Sequence, residues 1–154
     1  MRLQRYRHRC RSCQTEYFLP WADLSFFYGT FLGVTRRGEV AVLDSFSDPV
    51  FDEVSMLVSN YLGPQETYER GVVVRQVISA ISDKDPHGEP FVLDGLPGCP
   101  ECGKKRTAAP KFTGEEWMAD VPPLSHEQWD NWPFLQRAQT VKALLAEMGL
   151  KEPP

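Results

Sequence analysis

The sequence predicts an α+β fold in which a small antiparallel sheet is packed by three or four helices. A strand pattern occurs in residues 4–10, where basic side chains alternate with other types. A hairpin is predicted in residues 31–43, where two apolar runs flank a turn made from Arg36, Arg37 and Gly38. Helical patterns occur in residues 49–62 and 134–148, where apolar residues recur every three or four positions. A chain of 154 residues is long enough for one domain with its own core.

The first helix is predicted from Pro49 to Leu62. Asp48 can accept hydrogen bonds from the first free backbone N–H groups, and proline is favoured at the first helical position. Gly63 can adopt the left-handed conformation that ends a helix. The predicted apolar stripe consists of Val50, Val54, Leu57, Val58 and Tyr61.

Residues 72–82 fit two kinds of element. Three consecutive valines, 72–74, favour a strand because their β-carbons are branched. Val74, Val77, Ile78 and Ile81 have the spacing of a helical face. A helix over about 73–82 is the preferred interpretation, and a strand remains the alternative.

The C-terminal part, residues 112–150, is predicted to be helical. Ser125 and Gln128 have the spacing of a capping box at the start of one helix. Gly149 is placed to end the last helix. Residues 151–154 are predicted to be frayed.

The charge is distributed unevenly along the chain. Residues 1–13 and 99–111 contain nine of the 17 basic residues and one acid, so together they carry +8. The remainder carries −12, although the whole chain has a net charge of −4. This asymmetry predicts a cationic end on an anionic body.

The four cysteines form two Cys-x-x-Cys pairs, Cys10 with Cys13 and Cys99 with Cys102. Paired cysteines at this spacing are typical of metal ligands in a reducing compartment. A structural zinc ion is the preferred interpretation. An iron centre for electron transfer, a pair of disulfides and a redox-active pair are the alternatives, because softness alone does not separate zinc from iron at four thiolates.

The segments "CRSCQTEY" and "CPECGKK" resemble the two knuckles of a zinc ribbon, a pattern that rubredoxin-type sites share. The resemblance implies tetrahedral coordination by all four cysteines, with no position for a catalytic water. Gly103 matches the pattern after the second ligand pair, whereas Gln14 stands where glycine is common. The resemblance covers only these two segments.

The two pairs are separated by 85 residues, so the ribbon would be split. We expect one domain, residues 1–154, whose knuckles at 4–19 and 97–107 form the ribbon. Residues 20–96 would be a folded insertion within it. The metal would then tie the N-terminus to a point two-thirds of the way along the chain.

The basic residues of the first strand are expected on one face. On a strand, Arg5, Arg7 and Arg9 point away from Tyr6, His8 and Cys10. Such a row of arginines also discourages edge-to-edge pairing of strands, and it offsets the negative charge of a metal tetrathiolate. The expected binding residues are Arg5, Arg7, Arg9, Arg11, Lys104, Lys105, Arg106 and Trp117.

Two functions follow as hypotheses. The first is a non-enzymatic, cytoplasmic protein-interaction module, because an acidic body suits a basic partner, such as a toxin enzyme bound by an inhibitor or immunity-type protein. The second is nucleic-acid binding by the arginine-rich strand, a role that zinc ribbons often have. Rubredoxin-like electron transfer is less favoured. No catalytic motif occurs in the chain, and its longest apolar stretch is too short to span a bilayer.

Overall fold

The computed structural model describes residues 1–24, 28–63 and 67–150, and it confirms the α+β class. Among the described residues, no helix has both the length and the apolarity needed to cross a bilayer. The helices are α1 (Pro49–Leu62), α2 (Thr67–Ile81), α3 (Glu127–Asp130) and α4 (Phe134–Glu147).

The described strands form two antiparallel sheets. Strands β1 (Arg2–Arg9), β2 (Glu16–Trp21) and β5 (Lys111–Met118) form a three-stranded sheet with β1 in the centre. Strands β3 (Thr30–Val34) and β4 (Val40–Asp44) form the predicted hairpin.

Helix α1 has the predicted limits and caps. Asp48 Oδ1 accepts hydrogen bonds from the backbone N–H groups of Val50, at 2.8 Å, and Phe51, at 3.2 Å. Gly63 follows the last turn with a φ of 68°. The limits of α1 are therefore set by local signals that all agree: the capping Asp48, the first-turn Pro49 and the final Gly63.

Residues 72–81 lie in helix α2, so the helical interpretation is confirmed. Val74, Val77, Ile78 and Ile81 are buried against the rest of the core. Burial of this stripe outweighs the strand preference of the three valines.

The main core lies between the three longer helices and the β3–β4 hairpin. Trp129, Leu43, Ile78 and Leu145 are among its fully buried side chains. The end of α4 also follows the prediction, because Gly149 has a φ of 78° and the N–H of Leu150 bonds to the carbonyl of Leu145. Residues 151–154 lie outside the described residues.

The predicted capping box at Ser125 and Gln128 is wrong. The Ser125 hydroxyl donates instead to the carboxylate of Asp83, just after α2. The same carboxylate accepts the backbone N–H groups of Glu127, at 2.7 Å, and Gln128, at 3.2 Å. A residue distant in sequence therefore caps α3, and a local pattern cannot reveal such a contact.

Strand β5 is not among the predicted elements, since it lies at the start of the part predicted to be helical. All its side chains are exposed except that of Trp117, so it lacks the alternation that marks a half-buried strand. Its pairing with β1 is interrupted by a bulge that contains Gly114, whose φ is 86°.

Candidate metal centre and cationic face

The four cysteine thiols converge at the end of the three-stranded sheet. Their Sγ atoms all lie within 4.8 Å of one another. Cys10 Sγ is 3.6 Å from Cys102 Sγ, and Cys13 Sγ is 3.6 Å from Cys99 Sγ. The predicted convergence of both pairs is therefore present.

The first pair lies on a tight turn that follows β1. The N–H of Gln14 donates to the carbonyl of Cys10 at 3.0 Å, and the N–H of Cys10 donates to the carbonyl of Thr15 at 2.9 Å. The N–H of Ser12 points at Cys10 Sγ at 3.4 Å. Gln14 has a φ of 63°, so it adopts the left-handed conformation despite its side chain.

The second turn repeats the geometry of the first. The N–H of Gly103 donates to the carbonyl of Cys99 at 2.8 Å, and the N–H of Cys99 donates to the carbonyl of Lys104 at 3.0 Å. Gly103, with a φ of 70°, is the counterpart of Gln14. Gly98 has no room for a side chain, because a β-carbon there would collide with the carbonyl oxygen of Gly103.

Backbone hydrogen bonds hold the two turns side by side. The N–H of Arg11 donates to the carbonyl of Arg106 at 2.8 Å, and the N–H of Ala108 donates to the carbonyl of Arg9 at 2.9 Å. These bonds continue the alignment of β1 with the chain leading into β5. The cysteine cluster is thus fixed by backbone pairing as well as by the turns.

The thiols fit a tetrahedral metal ion. Four sulfurs at about 2.3 Å from a central zinc lie about 3.8 Å from one another, close to the 3.6 Å separations found here. Cys10 and Cys99 are fully buried, whereas Cys13 is exposed. A metal bound by all four would supply a cross-link between the two turns, with its coordination sphere closed to water.

The acidities of the thiols differ within the cluster. The hydrogen bond with the Thr15 hydroxyl, aided by the Thr15 backbone, lowers the pKa of Cys13 to about 6. The backbone N–H of Lys104 lowers the pKa of Cys102, but burial and the bonds to the other thiols outweigh it and raise this pKa to about 11. Neighbouring thiolates repel, so ionisation of all four requires a cation among them.

His8 on β1, two residues before Cys10, is buried. Its ring stacks on Tyr17 at 5.4 Å between centroids, and both residues are buried. Burial lowers the pKa of His8, which favours the neutral ring. Tyr17, Leu19 and Val34 pack with Cys10 and Cys99 in a second apolar cluster.

Backbone pairing brings the two basic segments of the sequence side by side, and we name their exposed cations the cationic face. Its members are exposed, and among the described residues none of them has an ion-pair partner. The acids beside them are Glu16, opposite Arg9, and Glu101, in the second turn. The cationic face comprises Arg7, Arg9, Arg11, Lys104, Lys105, Arg106 and Lys111.

Arg5 and Trp117, two of the expected binding residues, make contacts within the sheet. Arg5 pairs with Glu115 at 2.9 Å, so its charge is already balanced. Its guanidinium also lies 5.7 Å from the ring centroid of Trp117, which is half-buried opposite Leu3. These contacts place Trp117 within the sheet's own packing.

An exposed aromatic residue that the sequence did not single out lies beside the cationic face. Phe18 on β2 is directly opposite Arg7 on β1 and is 51% exposed. The alternation of β2 places Tyr17 and Leu19 in the interior and Phe18 outside. This alternation was the available signal, but it did not distinguish a binding residue from an ordinary exposed one.

An apolar cleft of about 490 Å³ lies on the other side of the sheet. Its walls come from the end of β2, from β3 and from the chain before Cys99. Asp23 lines it, and Arg75 pairs with Asp94 at 3.1 Å within it. Its apolar lining includes Leu19, Trp21, Phe31, Leu32, Leu96 and Pro97.

A serine, a histidine and an aspartate form a polar cluster elsewhere in the core. His126 Nδ1 lies 3.2 Å from Ser82 Oγ, and His126 Nε2 lies 3.0 Å from Asp48 Oδ2. The Ser82 hydroxyl is buried and donates to the carbonyl of Ile78 at 2.6 Å, and Asp48 caps α1. The cluster therefore joins α1, α2 and the start of α3, and the serine is not placed as a nucleophile.

Comparison of the chain with protein-family models, with curated proteins and with solved structures gives no match.

Proposed function

We propose that the chain is a zinc-stabilised binding protein without catalytic activity. The four converging thiols support zinc, because thiolates bind a soft divalent cation strongly and four of them leave no open position for catalysis. Free thiols persist in a reducing compartment, so we also propose a cytoplasmic location. The zinc would hold the cationic face in shape, since Arg11 and Lys104 lie beside its ligands.

We propose that this face binds a polyanion, and specifically a nucleic acid. The observation that carries the proposal is the hydrogen bond from Arg11 to Arg106, which brings two basic segments from distant parts of the sequence together. The cationic face has seven cations and two neighbouring acids. Its excess positive charge is larger than the formal charge of −2 on a zinc tetrathiolate, so the metal site alone does not balance it. An excess of unpaired arginine and lysine on one face is the electrostatic footprint of phosphate recognition.

The face is also chemically suited to phosphate groups. Arginine donates through a planar fork that matches phosphate oxygens, and lysine provides a mobile point charge. If about five phosphates are neutralised, the logarithm of the affinity falls against the logarithm of salt concentration with a slope of about −3.5 for a single strand. The acidic body limits the contact to this end of the molecule.

The test is a titration of the zinc-loaded protein into a fluorescent oligonucleotide at several salt concentrations. Replacing Arg7 and Arg9 together by Gln should weaken binding and make the slope shallower by about 1.4. The matched control replaces Lys84 and Lys142 by Gln, two exposed lysines outside this face. Absence of binding at low salt, or equal losses in both double variants, would contradict the proposal.

A second candidate function, protein binding, rests on the apolar cleft. Exposed apolar concavities mark sites for partner segments, and Trp21 at its edge is 52% exposed. The fitting occupant is an extended apolar segment with basic flanks, because the lining of the cleft is mostly apolar and the body of the protein is acidic.

Selection of peptides from a displayed random library tests this second function. Peptides with apolar centres and basic flanks should be enriched, and Leu32→Glu should abolish their binding. Phe134→Ser, at an exposed aromatic on α4, should leave binding intact. Failure to enrich such peptides, or binding that survives Leu32→Glu, would rule the cleft out.

A further inference from the structure

We propose that the ligand of the cationic face is a single-stranded nucleic acid, and that Phe18 is a stacking platform for one of its bases. This inference rests on the proposed function, because it names which polyanion the face binds. It depends on the exposed ring of Phe18, which is aligned across the three strands with two cations, Arg7 and Lys111.

The row runs across all three strands. Arg7 on β1 is directly opposite Phe18 on β2 and directly opposite Lys111 on β5. Directly opposite residues of antiparallel strands project from the same face. Neighbouring strands lie about 4.8 Å apart, so the backbone of Phe18 is about 5 Å from that of Arg7 and about 10 Å from that of Lys111. Arg9 projects from the same face two residues further along β1.

The packing of the sheet places residue 18 outside but does not require an aromatic side chain there. Its neighbours Tyr17 and Leu19 fill the interior, whereas the Phe18 ring is 51% exposed. Single exposed aromatics are common on protein surfaces and need no special role. This one is distinctive because the unpaired Arg7 is directly opposite it and the unpaired Arg9 is the next residue on the same face of β1, the combination of ring and cations that single-strand binding surfaces use.

The chemistry separates a single strand from other polyanions. The bases of a single strand have free faces that can stack on a phenyl ring while Arg7 and Arg9 contact the flanking phosphates. Bases in a duplex are already stacked on each other, so a duplex would gain only the phosphate contacts. A sulfated polysaccharide such as heparin has no aromatic ring to offer.

The experiment compares three probes with the intact zinc-loaded protein: a single-stranded oligonucleotide of about 12 nucleotides, a duplex of the same length, and heparin. Phe18→Ser should weaken single-strand binding about tenfold. It should leave the salt slope, duplex and heparin binding, zinc content and thermal unfolding unchanged. Phe18→Trp should restore or strengthen single-strand binding, and Phe134→Ser is the matched control at a similarly exposed phenylalanine.

The outcomes separate this inference from the function on which it rests. A selective loss of single-strand affinity in Phe18→Ser, recovered in Phe18→Trp, supports the stacking role. Single-strand binding that is unaffected by Phe18→Ser, or weakened equally for all three probes, overturns it while polyanion binding stands. If none of the three probes binds at low salt, the proposed function itself fails.

Discussion

The backbone N–H of Arg11 donates a 2.8 Å hydrogen bond to the carbonyl of Arg106. Arg11 directly follows the candidate metal ligand Cys10, and Arg106 lies four residues after the candidate ligand Cys102. This contact joins the N-terminal strand to the chain that leads into β5. It also places the basic residues of both segments on one surface. The metal site and the cationic face are therefore consequences of the same pairing.

Replacing Cys99 by Ser should destabilise the whole fold. Structural zinc contributes an apparent binding free energy of about 10–16 kcal/mol, which exceeds the stability of typical domains. We expect loss of zinc and a broad fall in the urea midpoint that far-ultraviolet circular dichroism detects. Glu101→Gln, in the same turn, should retain both zinc and stability. A Cys99→Ser protein that unfolds like the parent would show that the metal is not structural.

The left-handed residues of the two turns should respond in opposite directions. Gln14→Gly should stabilise the protein and Gly103→Ala should destabilise it, each by about 1 kcal/mol, because only glycine adopts this conformation without strain. A β-carbon on Gly103 would meet only an ordinary contact with Arg36, so crowding does not complicate the comparison. Urea unfolding of the zinc-loaded variants measures both changes. A loss of stability in Gln14→Gly would mean that its side chain, which donates to the Arg11 carbonyl, outweighs the strain.

Asp83→Asn should lower stability in a pH-dependent way. Partial burial raises the pKa of Asp83, but hydrogen bonds from Ser125, Gln128 and Glu127 outweigh it and hold this pKa below its ordinary value. A lowered folded pKa means that the carboxylate stabilises the fold above the unfolded pKa of about 3.9, and that this contribution is lost as the pH falls through the folded value.

Parent and Asp83→Asn should therefore differ by about 1 kcal/mol at pH 7, the typical contribution of a helix cap. The difference should shrink as the pH falls below about 4. Paired urea titrations across this range measure it, and acid loss of metal affects both proteins alike. Asp120→Asn, at an exposed acid, provides the control. A gap between parent and Asp83→Asn that widens in acid would contradict the assigned direction of the pKa shift.

Trp129→Ala should cost about 3–5 kcal/mol, because the side chain is fully buried in the main core. Its indole N–H donates to Glu53 Oε2 at 3.2 Å, and Glu53 also pairs with Arg137 at 3.2 Å. Trp21→Ala, at a residue that is 52% exposed, should change stability by less than about 0.5 kcal/mol. Thermal unfolding of both variants measures the two losses of stability. If Trp129→Ala lost as little stability as is expected for Trp21→Ala, Trp129 would not be a core residue.

What could be predicted from the sequence depended on whether the determining contacts are local. Helix α1 carried its cap, proline, apolar stripe and glycine within 16 residues, so its limits were predicted correctly. The Cys-x-x-Cys spacing likewise indicated convergence of the thiols. Strand β5 and the capping of α3 by Asp83 depend on partners far away in sequence, and no local pattern records them.

The site shows the same division. Arg5, Arg7 and Arg9 could be assigned to one face from alternation alone. The pairing of Arg5 depends on Glu115, which belongs to a strand that was not predicted. Phe18 gained its significance only from its cross-strand neighbours, Arg7 above all.

Metal analysis and X-ray absorption of the freshly purified protein can show whether both cysteine pairs bind one metal ion. We expect one zinc per chain, with four sulfur ligands at about 2.3 Å. A metal-free, folded protein in which each cysteine pair forms its own disulfide would contradict it.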